Sequence, residues 1–197
     1  MGKRGEARVL RGRLSSGQWL NNKHIIAAQH LPTKLENTAG LQDSLSSKAG
    51  GFNSIGKAKQ SAQIHHVSGN HWVFSCSFGY DIFIYDSLDF NLTPELSLEL
   101  RQIYGELKQG NKESKVAVMP CQRQMDSVDC GLFDIANAAQ ILMVKRPETK
   151  VYDQEKMRDH LLNCFEKVKI IEFPGKVVRL LSLTPKIVIF ERRYKLE

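Results

Sequence analysis

Hydrophobic and polar positions follow two different rhythms along the chain. A period near 3.6 runs through Pro94–Lys108, where Leu96, Leu100, Ile103, Tyr104 and Leu107 share one helical face. Pro94 suits the first turn, because its missing N–H is one that a helix start leaves unpaired anyway. Gly110-Asn111 ends the pattern. The same period predicts a helix over Asp153–Val168, with Met157, Leu161, Leu162, Phe165 and Val168 on one side. Trp19–Gln29 reads as a third amphipathic helix, capped by Asn21 or Asn22 and ended by Pro32. From Cys130 to Val144 the chain is apolar nearly all round, which predicts a buried central helix stopped by Pro147. Strand-like runs occupy Ala62–Val67, Trp72–Phe78 and Ile82–Tyr85, and Gly79 between the last two predicts a hairpin. Val116–Met119 reads as a short strand, and the loosely alternating tail after Ile170 as one more. Between Thr33 and Ser61 the chain is polar, with Gly50-Gly51 and sparse anchors at Leu35, Leu41 and Leu45. That stretch predicts a long loop holding one short helix, and loops of this length are often functional. Helices segregated from a small, mainly antiparallel sheet define the α+β class.

A length of 197 residues predicts one domain, 1–197, with a core over about 14–169 and basic extensions at 1–13 and 170–197. It is long enough to bury a core without staples. No stretch approaches the roughly 20 apolar residues of a membrane span, so no membrane partner is expected. The start, Met1 to Glu6, is charged and lacks the apolar segment of a secretory signal. Four cysteines, Cys76, Cys121, Cys130 and Cys164, match no zinc spacing and form no disulfide framework. A reducing compartment, nuclear or cytoplasmic, is therefore expected. The formal charge of +7 gathers at the ends, in Lys3, Arg4, Arg8, Arg11 and Arg13 and again in Arg192, Arg193 and Lys195. Such ends suit an acidic protein face or nucleic acid, and equally a pair of solvated termini.

Candidate chemistry centres on Gln124-Met125-Asp126-Ser127-Val128-Asp129-Cys130-Gly131. Cys130 opens the buried helix, and a helix N-terminus is one of the few places where a thiol becomes reactive. A nucleophilic cysteine needs a base, and the base needs an orienting group. The hairpin offers both, His71 at the start of one strand and Asp86 at the end of the next. A tight turn at Gly79-Tyr80 predicts that they lie opposite or one position offset, about 5 Å apart at Cβ. The side-chain amide of Gln124 and the backbone N–H of Cys130 are candidate oxyanion donors. Taken singly, each piece also fits an ordinary role: core cysteine, strand-edge histidine, strand terminator, solvated glutamine, and an N-cap for Asp129. His65-His66 cannot jointly ligate a metal, since adjacent strand residues face opposite ways. Cys76 and Cys164 read as structural, and Cys121 as a site open to oxidation. No cofactor is expected.

Together and in this order, His71-Trp72, Tyr85-Asp86-Ser87, then Gln124 and Asp129-Cys130-Gly131 resemble the ubiquitin-like-protein-specific cysteine proteases. That family includes the SUMO and sentrin proteases, with the adenovirus protease as a distant relative. The resemblance runs from Gln18 to about Val144. It implies a papain-like fold with the permuted order His, Asp, Gln, Cys, and a thiol peptidase or isopeptidase acting on a ubiquitin-like modifier or its conjugates. His71, Asp86, Gln124 and Cys130 would be catalytic. Trp19-Leu20-Asn21 is similar to the family's Trp-Leu-Asn motif. There this tryptophan and the one after the histidine roof a slot for a Gly-Gly tail, which makes Trp19 and Trp72 substrate-binding candidates. A narrow slot selects glycine by excluding side chains. Asn22 departs from the family's aspartate, and Asp126 stands where relatives carry Asn or Gly; we expect Asp126 to point outward. Two other readings remain at this stage, an acetyltransferase on the same fold and a non-catalytic modifier-binding module.

Overall fold

The computed structural model describes residues 10–31, 38–56, 58, 60–67, 70–89, 92–107, 115–179 and 185–189. Lys3, Arg4, Arg8, Pro32, Leu35, Gly110-Asn111 and the basic residues Arg192, Arg193 and Lys195 lie outside the described residues.

The hairpin is the frame on which the rest assembles. β2 (Gln60–Val67), β3 (His71–Phe78) and β4 (Asp81–Tyr85) pair antiparallel in sequence. Every residue of β3 except Phe78 is buried, so both faces of the strand are covered. Gly79, at φ +61°, takes the left-handed conformation that the tight turn requires. A two-residue strand, β1 (Ala39–Gly40), lies parallel to β2, and β5 (Lys115–Met119) lies parallel to β4. β8 (Lys186–Ile189) closes the far edge antiparallel to β5, giving the order β1-β2-β3-β4-β5-β8. A separate pair joins β6 (Lys150–Tyr152) to β7 (Gly175–Val177). The tail thus contributes two strands, and β1 and β6 carry no pattern long enough to announce them.

Strand alternation sorts the hydrophobic side chains into two cores, one on each face of the sheet. Ala62, Ile64, Trp72, Phe74, Cys76 and Tyr85 meet α4 (Cys130–Leu142), with α5 (Gln154–Lys167) behind it. Val67, Val73, Ile82, Ile84 and Val116 meet α3 (Pro94–Tyr104), whose start is capped by the Thr93 hydroxyl accepting from the Leu96 N–H at 3.2 Å. α1 (residues 10–15) inserts Leu10 and Leu14 into the first core, and Ile170 and Phe173 join it from beyond α5. α2 (Asn22–Gln29) has Asn21, one of the two expected caps, at its N-cap, while Trp19 and Leu20 precede the helix rather than belong to it. His24 Nδ1 lies 2.7 Å from Asn21 Oδ1 and Nε2 lies 3.1 Å from the Leu10 carbonyl, which ties α1 to α2.

All of α4 is buried, but it is not apolar all round: Asp134, Asn137 and Gln140 form a buried polar stripe at three-residue spacing. His65 and His66 face opposite ways. His65 is bonded between Glu99 Oε2 and Ser75 Oγ, each at 2.7 Å, while His66 lies across the Trp72 ring. Among the described residues no helix is long and apolar enough to cross a membrane.

Candidate active site

His71 opens β3 and Asp86 follows the last residue of β4. The register Phe74↔Tyr85 places Asp86 diagonally from His71, two positions offset, rather than opposite or one apart. A diagonal pair is about 7–8 Å apart at the backbone, within reach of these side chains. The chain also turns at once after β4, where the Asp89 N–H bonds the Asp86 carbonyl at 3.2 Å and Asp89 takes φ +54°. The result is a hydrogen bond of 2.9 Å between His71 Nε2 and Asp86 Oδ1, with both side chains buried. The same oxygen accepts the Leu88 N–H at 2.8 Å, which holds the carboxylate in place for the imidazole. An ionised carboxylate only accepts, so Nε2 carries the proton and Nδ1 is the basic ring atom.

Cys130 is the first residue of α4 and is 1% exposed. The backbone amides of Trp72 and Gly131 lie near enough to its sulfur to favour the thiolate, as does the helix start. Burial outweighs them and, with the Asp134 carboxyl one turn below, pushes the thiol up to about 12. The helix end alone therefore does not release the proton, which fits the expectation that a nucleophilic cysteine needs a base. Alkylation of Cys130 by iodoacetamide is therefore expected to rise about tenfold per pH unit from pH 7 to 9, following the thiolate fraction. Peptide mapping by mass spectrometry reads this directly, and a plateau below pH 8 would reveal a thiolate already formed.

Gln124 is held by the motif that holds the base. Its backbone N–H donates to the Ser87 carbonyl at 3.1 Å, and the Ser87 hydroxyl donates to Gln124 Oε1 at 2.7 Å. With Oε1 fixed, the NH₂ direction is set. Nε2 donates to the Asp126 carbonyl at 2.8 Å and makes a longer contact of 3.5 Å with Asp126 Oδ1. Asp126 is exposed, as expected, but its carboxylate folds back onto its own loop. Oδ1 accepts the Val128 and Asp129 N–H groups at 2.8 and 3.0 Å, and Oδ2 accepts from Gln154 at 2.9 Å. These donors, with the longer contact from Gln124 Nε2, offset the extra negative charge beside the site. Asp129 begins α4 without capping it through its side chain. Its carboxylate instead meets Arg158 and Gln154, and burial holds it above the ordinary carboxylate range against their pull.

The two tryptophans occupy different environments. Trp19 is 41% exposed and donates from Nε1 to the Ser127 carbonyl at 2.6 Å, across the loop that leads to Cys130. Trp72 is 2% exposed, with Nε1 on the Leu20 carbonyl at 3.2 Å. A Cβ at Gly131 would lie 3.0 Å from Trp72 Cδ1, 3.3 Å from Ile25 and 3.4 Å from Leu20. Glycine after the cysteine therefore permits this close packing.

No protein-family model matches the sequence, and no curated protein matches it significantly. Solved structures do match. The chain is similar to the SUMO protease Ulp1 with its catalytic cysteine oxidised to a sulfonic acid, at TM-score 0.60 and 17% identity over 81% of this chain and 84% of that one. It is similar to the C-terminal Ulp1 protease domain in complex with Smt3, the yeast ortholog of SUMO, at TM-score 0.57 and 15% identity, covering 81% and 82%. A de-sumoylating protease superposes at TM-score 0.54 and 12% identity, covering 80% and 84%. The chain has the fold of the Ulp1 SUMO proteases.

Within this Ulp1 fold, Asp134 is a residue the sequence reading passed over. It is fully buried, and neither carboxyl oxygen has a hydrogen-bond partner among the described residues. Burial, then the nearby Asp86 charge, holds its carboxyl well above the ordinary range. A carboxyl raised in the folded state contributes most below its unfolded value near 3.9 and loses that contribution as pH rises through the folded value. Asp134→Asn is accordingly expected to melt higher than the parent at pH 8, with the gap closing toward pH 4. Each kcal/mol moves the midpoint about 2–4 °C in a chain of this size, so thermal scans at the two pH values resolve it. Cys121 is a further correction. Its thiol lies against the Asp86 backbone, and burial pushes it up to about 12, which makes it a poor target for oxidation at neutral pH.

Proposed function

We propose that this chain is a cysteine peptidase or isopeptidase that cleaves after the C-terminal Gly-Gly of a ubiquitin-like modifier, SUMO-like in class. The observation that carries the reading is the buried His71–Asp86 hydrogen bond of 2.9 Å at the end of the hairpin whose strand β3 packs against α4, the helix that Cys130 opens. The Cys130 sulfur attacks the carbonyl carbon of the terminal glycine as His71 Nδ1 takes the thiol proton. Because burial keeps that proton on the sulfur at rest, transfer and attack are coupled. The new imidazolium is stabilised by the Asp86 carboxylate. The carbonyl electron pair moves onto oxygen, toward the Gln124 side-chain amide, which gives up its long contact with Asp126 Oδ1, and the N–H groups at the start of α4. Collapse breaks the C–N bond, His71 returns the proton to the leaving amine, and a thioester remains on Cys130. His71 then accepts a proton from water, hydroxide adds to the thioester carbonyl, and the thiol leaves reprotonated.

Trp19 and Trp72 are assigned to the approach path. Trp19 stands at the surface beside the Ser127 carbonyl and would lie over the tail. Trp72 shapes the path from beneath, through its packing with Gly131 and Leu20. Ubiquitin-like modifiers bearing a C-terminal electrophile test the reading. Covalent capture of one modifier, mapped to Cys130, supports it and names the substrate. Absence of capture with retained binding replaces it with a modifier-binding module, and autoacetylation by acetyl-coenzyme A replaces it with a transferase.

A further inference from the structure

The loop from Gln124 to Cys130 carries the oxyanion candidate into the nucleophile, yet it contains no regular secondary structure of its own. Something outside it must fix its shape. The side chain that does so is Gln154, the first residue of α5. Its Oε1 accepts the Met125 N–H at 3.0 Å. Its Nε2 donates to Asp126 Oδ2 and to Asp129 Oδ2, each at 2.9 Å. One buried amide therefore grips three of the five residues between Gln124 and Cys130. Only a carboxamide meets that demand, since the site needs one acceptor and two donors on adjacent atoms. A glutamate would keep the acceptor, lose both donors and face two carboxylates.

One helical turn on, at i+4, Arg158 projects from the same face of α5. Its guanidinium pairs with Asp129 and donates from Nη1 to the Gln18 carbonyl at 2.9 Å and the Arg13 carbonyl at 3.3 Å. Arg13 in turn donates to the Trp19 carbonyl at 3.2 Å. Trp19 closes the circuit through its bond to the Ser127 carbonyl. α5 thus holds both the loop before Cys130 and the segment that presents Trp19.

We propose that Gln154 and Arg158 are positioning residues: Gln154 sets the geometry of the Gln124–Cys130 loop, and Arg158 couples that loop to the Trp19 segment. The proposal rests on the peptidase reading for its consequence in turnover, but the clamp itself is measurable without a substrate. Loss of the Gln154 amide displaces the oxyanion donor and lowers kcat more than it raises KM. Loss of the planar Arg158 fork frees Trp19 and raises KM more than it lowers kcat, because a lysine ammonium cannot span a carboxylate and two carbonyls.

The test uses the full chain, a ubiquitin-like modifier with a fluorogenic C-terminal amide, and amide hydrogen exchange. Gln154→Met is expected to lower kcat on the order of 10²-fold, the scale of a displacement of about 1 Å at a reacting centre. It also speeds exchange at the Met125, Val128 and Asp129 amides about tenfold or more, with α4 still protected. Gln154→Glu lowers kcat further. Adding Asp126→Asn restores about tenfold or more, because the side-chain amide introduced at position 126 can donate to the new carboxylate at position 154, while its oxygen still accepts from Val128 and Asp129. Arg158→Lys raises KM about tenfold. The clamp is overturned if these loop amides keep their protection in Gln154→Met, or if the Asp126→Asn swap restores nothing in a folded double variant. A parent that cleaves no modifier sinks the peptidase reading alone, and the exchange data still decide the clamp.

Discussion

Cys130→Ala is expected to cut release of the C-terminal amide from a Gly-Gly-ended modifier on the order of 10⁴-fold or more, the scale seen when an enzyme loses its nucleophile. The size follows from the route. Without the sulfur there is no thioester, and amide hydrolysis falls back on whatever the oxyanion donors and binding supply. Binding of the modifier should survive, because removing one buried sulfur leaves the surface around Trp19 unchanged. Cys130→Ser is the sharper variant. A hydroxyl would occupy nearly the same place at the start of α4, but its proton is held far more tightly than a thiol's. Serine is thus expected to be nearly as inactive as alanine. Turnover in Cys130→Ala above about one per cent of the parent, checked by mass spectrometry for contaminating protease, would remove Cys130 from the chemistry.

The legible parts of this protein were those with local causes. Cys130 at the start of α4 could be read because the apolar run after it has a definite beginning. The His71–Asp86 pairing could be read because a tight turn at Gly79 joins two strand ends within fifteen residues. Even there the offset differs from the expectation, since the hairpin pairs Phe78 with Asp81 and Phe74 with Tyr85, which carries Asp86 two positions from His71. What escaped was tertiary. Gln154 and Arg158 look like the solvated face of an amphipathic helix, and only the packing of α5 against the Cys130 loop turns them inward. Asp134 is one acid in an apolar run, and its i+4 spacing from Cys130 was the one available signal. β1 and β6 are too short for any periodicity to register.

That division bears on how the site works. In the proposed mechanism His71 comes from β3, Asp86 from the end of β4, Cys130 from the start of α4 and Gln124 from the loop before it. The residues that aim them come from elsewhere. Ser87 orients Gln124, and α5 orients the loop between Gln124 and Cys130. Burial of Cys130 has a double effect. It withholds the thiolate at rest, which guards the sulfur against stray electrophiles, and it lowers the local dielectric in which the Asp86–His71 pair acts. A substrate that displaces water and brings a carbonyl to the sulfur supplies the acceptor the thiol otherwise lacks.

Asp86 carries the second large effect, and two substitutions separate its roles. Asp86→Ala is expected to lower kcat by about 10²- to 10⁴-fold, the range for losing the group that orients a catalytic histidine. Both bonds of Oδ1 vanish together, so His71 loses its fixed tautomer and the turn loses its tie to the Leu88 N–H. Asp86→Asn should do less. One oxygen accepts both bonds in the parent, and the Asn oxygen can occupy the same place with its NH₂ turned away. Position and tautomer then survive, and only the negative charge is lost. The gap between the Ala and Asn variants measures positioning, and the gap between Asn and the parent measures stabilisation of the imidazolium formed during attack. Equal losses in the two variants, with equal melting temperatures, would mean that charge does all the work and that the fixed geometry of the pair contributes nothing.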